Sequence, residues 1–353
     1  MRSLRLGRAK AQGLDPAPVG TSLERTVAAA CEPPFPVYPD LVEALVEAHR
    51  QAPLERSSTV AHVLSVCAGY AYADTATFST MALRLGLEHH ACVRIAQTVE
   101  PMLIFSTAYL VQSRCGRVAI LCYRGTEARM LGNWLGDADV GSEASLLPLG
   151  DGRTLRVHAG FHRNVRATSW NVLHELEAAV EGRSIGDHRS RVEHRLEALY
   201  VTGHSLGGAM ALLFALGLFN QPAHRPIAER LRAVYTFGQP MALAASSAVV
   251  ADEIQRKVFR HVLPRDPVPA LPPAGWGPFV HIGREYHYDS AAWRPAVTPV
   301  AAMTDIKEIP RSVLAFLAPE KQRAGFPYSI EAHLPQYYVA ALRPADRVSE
   351  FGD

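Results

Sequence analysis

The sequence predicts an α/β protein in which a mostly parallel sheet is covered by helices. Three observations lead there. Past residue 160, short apolar runs alternate with helix-length segments, the pattern of strands joined by crossover helices. A serine framed by glycines, Gly203-His204-Ser205-Leu206-Gly207-Gly208, links one of those apolar runs to a long apolar stretch. The composition, 48 % apolar and 20 % charged, is that of a globular chain and excludes a disordered or fibrous one.

Taken in order, residues 1–38 are rich in proline, glycine and charge and read as an irregular lead-in. Asp40, with Glu43 three residues on, offers an N-cap for an amphipathic helix carrying Leu41, Ala44, Leu45 and Ala48. A second helical stretch covers about Thr59 to Tyr72. The runs MLIFSTAYLVQ and RVAILCY, joined by the turn-like SRCG, predict two strands between Met102 and Tyr123. Val165, Trp170, Leu173, Leu176 and Val180 recur at roughly helical spacing. The strand LYVT (199–202) then leads into an apolar helix from Leu206 to Phe219. AVYTF (233–237) and VFRHVL (258–263) are further strands, and HIGREYHY has strand-like alternation. No internal repeat and no obvious linker interrupt the chain. A single domain over 39–345, followed by a tail at 346–353, is the expected organisation.

Charge and ends narrow the function classes. Lys+Arg minus Asp+Glu is 36 − 34 = +2, which gives no electrostatic case for a nucleic-acid partner. The basic start with Arg2, Arg5, Arg8 and Lys10 is followed by no apolar run of the kind a secretory signal needs. The longest apolar stretch, Val201 to Phe219, contains His204, Ser205 and four glycines, so it reads as buried strand and helix rather than a transmembrane segment. Five cysteines at irregular spacings, without a CxxC pair, suit free thiols in a reducing compartment. A cytoplasmic protein, with at most peripheral membrane contact, is the expectation.

The chemistry is concentrated at Ser205. A nucleophilic serine must stand clear at the end of a strand on a sharp turn, and the flanking glycines leave room for close backbone approach. The helix that follows presents N–H groups and a positive dipole end where an oxyanion would develop. A serine nucleophile needs a base, and the base an orienting acid. Of the acids downstream, Asp252, Asp266, Asp289 and Asp305, Asp266 is favoured because it directly follows the strand VFRHVL. His281, His287 and His333 all remain open as the base. His158 and His162 stand four apart around Gly160, with no third ligand pattern to make a metal site. His204 is expected to pack or to make a structural hydrogen bond, and Trp276 to lie near the acyl site.

These motifs together resemble the class 3 (fungal-type) lipase family, over about residues 100–340. Tyr123-Arg124-Gly125-Thr126 resembles the family's oxyanion segment, and Asn133-Trp134-Leu135-Gly136-Asp137 the region after it. Val157-His158-Ala159-Gly160-Phe161, the elbow at Gly203–Gly208 and Tyr235-Thr236-Phe237-Gly238-Gln239-Pro240 follow in order. Asp266-Pro267-Val268-Pro269 resembles the acid motif, and His333 with Tyr337 the last histidine element. The resemblance implies an α/β-hydrolase fold and a triad of Ser205, Asp266 and His333. It also implies an oxyanion hole from the N–H and hydroxyl of Thr126 with the N–H of Leu206, and no metal or organic cofactor.

Between Glu127 and Pro148 a lid is expected. Met130, Leu131, Trp134 and Leu135 fall on one face of a short helix that could cover the acyl site and turn toward lipid. The expected activity is hydrolysis of lipid acyl esters through an acyl-enzyme, with transient contact at a lipid interface. Phospholipase A, short-chain esterase and thioesterase activities are open to the same triad. An inactive lipid-binding or regulatory relative is the alternative from another class, disfavoured by the complete set of four site residues.

Overall fold

The structure, a computed structural model, describes residues 21–26, 35–51, 54–126, 144–149, 152, 154–247, 252–302, 329 and 331–352. The chain begins with β1 (Thr21–Thr26) and lays down three helices, α1 (Leu41–Glu47), α2 (Ser58–Tyr70) and α3 (Thr75–Leu85). A meander of β2 (His89–Val99), β3 (Ile104–Ser113) and β4 (Val118–Tyr123) follows. The hairpin β5 (Ala144–Pro148) and β6 (Thr154–His158) leads into the long α4 (Ala159–Val180). After the ribbon β7 (Arg183–Ser184) and β8 (Asp187–Arg191) come β9 (Ala198–His204), α5 (Leu206–Asn220), α6 (Arg225–Ala228) and β10 (Leu231–Phe237). Then β11 (Leu243–Ala244), α7 (Asp252–Lys257), β12 (Val258–Val262), β13 (Phe279–Val280), β14 (Arg284–Tyr288), β15 (Trp293–Pro295) and α8 (Pro335–Leu342) close the order.

The main sheet runs β1-β2-β3-β4-β9-β10-β12-β14-β15. Its middle, from β4 to β14, is parallel, and the strands outside it pair antiparallel. Tyr123 lies opposite Gly203, and Phe237 opposite both His204 and His261, so the carboxyl ends of β4, β9, β10 and β12 finish level. Loops leaving those ends converge at one edge, where parallel sheets carry their active sites.

Burial on both faces explains why the central strands read as unbroken apolar runs. Along β4, Ala119, Leu121 and Tyr123 join the core under α4 and α5. Val118, Ile120 and Cys122 point the other way, into a second core built with α1, α2, α3 and α8. Leu199 and Val201 of β9 likewise alternate with Ala198 and Tyr200. Helix α5 is buried around its whole circumference from Leu206 to Leu216, which accounts for its lack of a polar face. No single helix among the described residues is long and apolar enough to cross a membrane.

Four local outcomes differ from the sequence reading. The lead-in is not wholly irregular: Thr21–Thr26 pairs antiparallel with β2, an order supplied by backbone pairing that its polar residues do not announce. Asp40 makes no side-chain cap, because at φ −105° and ψ 34° it is outside the extended conformation a capping carboxylate needs. Ser57 and Asp74 do cap α2 and α3, accepting from the N–H groups of Val60 and Thr77. The terminal residues are tied down too: Glu350 accepts from Tyr70 at 3.3 Å, and its carbonyl accepts from Arg84.

Candidate active site

Strand β9 delivers Ser205 to the open edge, and α5 starts on the next residue. Ser205 holds φ 57° and ψ −130°, a left-side conformation costing about 1–3 kcal/mol for a residue with a side chain. The turn is fixed by its neighbours. Ser205 N–H donates to Phe237 O at 2.9 Å, and a Cβ on Gly207 would stand 2.2 Å from Tyr123 O. Only a bare α-carbon lets α5 come so close to β4. Ser205 is 1 % exposed, and its Oγ has no hydrogen-bond partner among the described residues.

Asp266 and His333 meet beside this turn. His333, on the single 3-10 turn Glu331–His333, places Nδ1 3.0 Å from both Oδ1 and Oδ2 of Asp266. A carboxylate only accepts, so Nδ1 carries the hydrogen and Nε2 keeps its lone pair. That Nε2 is buried and, like Ser205 Oγ, has no hydrogen-bond partner among the described residues. Asp266 accepts two further bonds, from Val268 N–H at 2.9 Å and from the Tyr338 hydroxyl at 2.6 Å. The Tyr338 oxygen in turn accepts from Leu263 N–H at 3.2 Å, which leaves its hydrogen aimed at the carboxylate. Burial, and then the Asp266 charge, push the Tyr338 phenol well above the ordinary tyrosine value, so it remains a donor.

Gly238 packs into the hinge of this pair. At φ +57° it tolerates a backbone conformation that L side chains rarely adopt, and a Cβ there would meet Asp266 Oδ2 at 2.8 Å and His333 Nδ1 at 2.9 Å. Gly125 closes the other side: its missing Cβ would lie 3.2 Å from the Cβ of Ser205. Thr126 follows it directly and is half-buried, and Leu206 opens α5, where first-turn N–H groups have no intrahelical acceptor.

Residues 120–276 match the family model for lipase (class 3). Over that stretch the chain is similar to class 3 lipases. It is 30 % identical over 206 residues to a triacylglycerol lipase, OBL1, of Ricinus communis, covering 48 % of this chain and 38 % of that one. It is also 30 % identical over 196 residues to a lipase of Rhizomucor miehei, covering 55 % of this chain and 48 % of the relative. The chain thus spans about half or less of the length of these curated relatives. Among solved structures, the Rhizomucor miehei lipase–propeptide complex aligns at a TM-score of 0.53 and 20 % identity, covering 79 % of this chain and 80 % of that one. Lipase II from Rhizopus niveus aligns at 0.51 and 22 %, covering 78 % and 92 %. These likenesses establish the α/β-hydrolase fold.

Around this site, the other histidines and acids have separate occupations. His281 donates Nε2–H to Pro269 O at 2.8 Å, bracing the loop after Asp266, and burial holds it well below the usual histidine range. His287 contacts Glu285 at 2.6 Å, and Asp289 pairs with Arg294 on the surface. His158 caps α4, accepting from Phe161 N–H, while His162 bonds Ser145 at 2.8 Å.

Tyr337, paired with His333 in the sequence reading, is 47 % exposed and turned away, and its neighbour Tyr338 is the residue on Asp266. A helix rotates about 100° per residue, so one position separates solvent from the carboxylate. Tyr338, Val268 N–H and Gly238 have no individual signal in the sequence beyond adjacency to the motifs. The lid residues Met130, Leu131, Trp134 and Leu135, with Asn133 and Asp137, lie outside the described residues, as does the side chain of Trp276. A cavity of about 490 Å³ beside the acid loop is lined by Leu263, Arg265, Tyr288 and Tyr337, not by Ser205 or His333.

Proposed function

We propose that the protein is a serine carboxylic-ester hydrolase acting on lipid acyl esters, with Ser205, His333 and Asp266 as its triad. The observation carrying this reading is the pair of buried, unpartnered atoms, Ser205 Oγ and His333 Nε2, at one edge of the sheet. Buried polar atoms normally find partners; these two are among those that have none among the described residues, and Nδ1 of the same His333 is held by Asp266, so they are the pair between which a proton would pass.

Ser205 Oγ attacks the ester carbonyl carbon as its proton moves to His333 Nε2. The carbonyl π pair becomes an oxyanion, held by Thr126 and by the N–H of Leu206. As that pair returns, the C–O bond to the alcohol breaks and Nε2–H protonates the departing oxygen. Water then repeats the sequence on the acyl-enzyme, giving up a proton to Nε2 and releasing the fatty acid. Asp266 holds the imidazole in the tautomer with Nε2 bare, and stabilises the imidazolium once formed.

The relatives' names, triacylglycerol lipase and lipase, favour acylglycerols as the substrate class. Met130, Leu131, Trp134 and Leu135 supply the apolar lid face in this reading, with transient contact at a lipid surface. A reducing cytoplasm is part of the same proposal, supported by free thiols at Cys67, Cys92, Cys115 and Cys122.

The test is hydrolysis of p-nitrophenyl esters of increasing chain length, below and above the micellar threshold, in wild type and Ser205→Ala. Loss of Ser205 is expected to lower turnover on the order of 10⁶-fold. Activity that rises with chain length and jumps at the threshold supports a lidded lipase. Short-chain activity without a jump replaces that with a plain esterase, and a phospholipid preference in a parallel assay replaces it with a phospholipase A. Hydrolysis surviving in Ser205→Ala defeats the triad.

A further inference from the structure

We propose that His204 is a positioning residue for the base, tethering the main chain of His333 to the end of β9 with its tautomer set by Tyr72. The proposal rests on the triad reading above. His204 Nε2 lies 2.6 Å from the backbone oxygen of His333, and its Nδ1 lies 2.9 Å from the Tyr72 hydroxyl. A carbonyl oxygen only accepts, so Nε2 carries the hydrogen. Nδ1 of the neutral ring is then an acceptor, and the Tyr72 hydroxyl is its donor. The opposite tautomer would set a nitrogen lone pair against the carbonyl oxygen at that short distance.

Burial, followed by the neighbouring His333, holds His204 well below the ordinary histidine range. A neutral ring matters here, because it lies against the ring of His333, with centroids 4.5 Å apart and planes tilted by 34°. A permanent charge at that distance would oppose the imidazolium that must form during turnover.

The mechanical logic lies in where the two histidines stand. His333 sits on one 3-10 turn, a support with little rigidity of its own. His204 is the last residue of a strand paired on both sides, by β4 and β10. The tether therefore transfers the position of the nucleophile's own strand to the base. Tyr72, between α2 and α3, reaches the site from outside the family-matching segment. Its hydroxyl is 2.2 Å from where a Cβ on Gly125 would be, so Gly125 has to be bare for the tether to reach. Misplacing a catalytic group by about 1 Å can cost on the order of 10²-fold in rate.

The experiment compares His204→Leu, His204→Gln and Tyr72→Phe in the full chain, with Ser205→Ala alongside. Steady-state hydrolysis of p-nitrophenyl butyrate gives kcat and KM, a fluorophosphonate gives the rate of Ser205 labelling, and thermal melting reports folding. His204→Leu is expected to lower kcat and the labelling rate together by about 10²-fold, with KM within about two-fold. The Gln side chain can place an N–H where Nε2 stands, so His204→Gln should recover to within about five-fold of wild type. Tyr72→Phe leaves Nδ1 without its donor and should fall between the two. If His204→Leu does not fold, His204→Gln and Tyr72→Phe decide the matter through the same kcat and labelling rates. Wild-type kcat in a folded His204→Leu, or a Gln variant no better than Leu, overturns the tether while an inactive Ser205→Ala leaves the triad standing. Hydrolysis retained by Ser205→Ala removes the triad reading itself.

Discussion

Replacing Tyr338 by phenylalanine removes one oxygen and nothing else, yet that oxygen links two buried groups. It donates to Asp266 Oδ2 at 2.6 Å and accepts from Leu263 N–H at 3.2 Å. Loss of a hydrogen bond to a charged acceptor costs about 1.5–3 kcal/mol, and a buried N–H left unpaired about 1–3 kcal/mol. Because the two losses share one deleted atom and local relaxation recovers part, a destabilisation of roughly 2–4 kcal/mol is expected. Asp266 retains Val268 N–H and His333 Nδ1. The carboxylate should therefore shift rather than leave, and kcat should fall about ten-fold, far less than loss of the nucleophile. Urea unfolding and p-nitrophenyl butyrate kinetics on the same samples measure both effects. Tyr337→Phe, at the exposed neighbouring position, is the matched control and should change stability by no more than about 0.5 kcal/mol. A Tyr338→Phe enzyme matching that control in both assays would refute the reasoning.

Gly238→Ala should cost about 1–2 kcal/mol for the left-handed backbone and lower kcat on the order of 10²-fold by pushing His333 off Asp266. Unaltered kcat would mean that the base has room to spare. Thr126→Val removes a hydroxyl while keeping the shape, and turnover should drop about 10²-fold; unchanged turnover excludes that hydroxyl from the oxyanion hole. Stability should also fall with acidification. Burial holds His49 and His62 in the folded chain at about 4, against 6.5 when exposed. Depressed folded values mean that the unfolded chain binds more protons between pH 6.5 and about 4, so folding is undiminished above that window and weakens as pH falls through it. At pH 5 each contributes a loss of about 1–2 kcal/mol relative to pH 7.5, and a urea midpoint unchanged between those pH values would show that these rings gain protons while folded.

The parts of this molecule legible in the sequence are those whose causes are local. The strand–serine–helix junction declares itself through glycines that sterics require and an apolar helix that burial requires. Asp266 announces itself by following a strand, and the doubly buried strands by their unbroken apolar runs. Other parts depend on distant contacts. β1 is ordered by pairing with β2, so its Ser, Glu and Arg carry no strand signal. The choice of His333 over His281 and His287 comes from folding a late turn back onto Asp266, which no local pattern encodes. Tyr338 and Tyr337 are equivalent as letters and differ only in helical phase. His204 looks like filler beside the nucleophile until the carbonyl it meets is known to be that of His333, 129 residues later.

The two-sided sheet also bears on what counts as a self-sufficient piece of this chain. The family-matching stretch, 120–276, contains Ser205 and Asp266 but neither His333 nor the helices of the second face. Excised at those boundaries, it would expose the apolar side chains of β4, β9 and β10 that α1, α2 and α8 now cover, and it would aggregate before it could act. Helix α2 carries the turn bearing Tyr72, while α8 follows the base; Gly69 of α2 meets Val339 of α8, separated by a gap that a single methyl would nearly close. Any shortened or recombined version must therefore inherit α2 and α8 together from one parent, since the close seam between them tolerates little change in either partner.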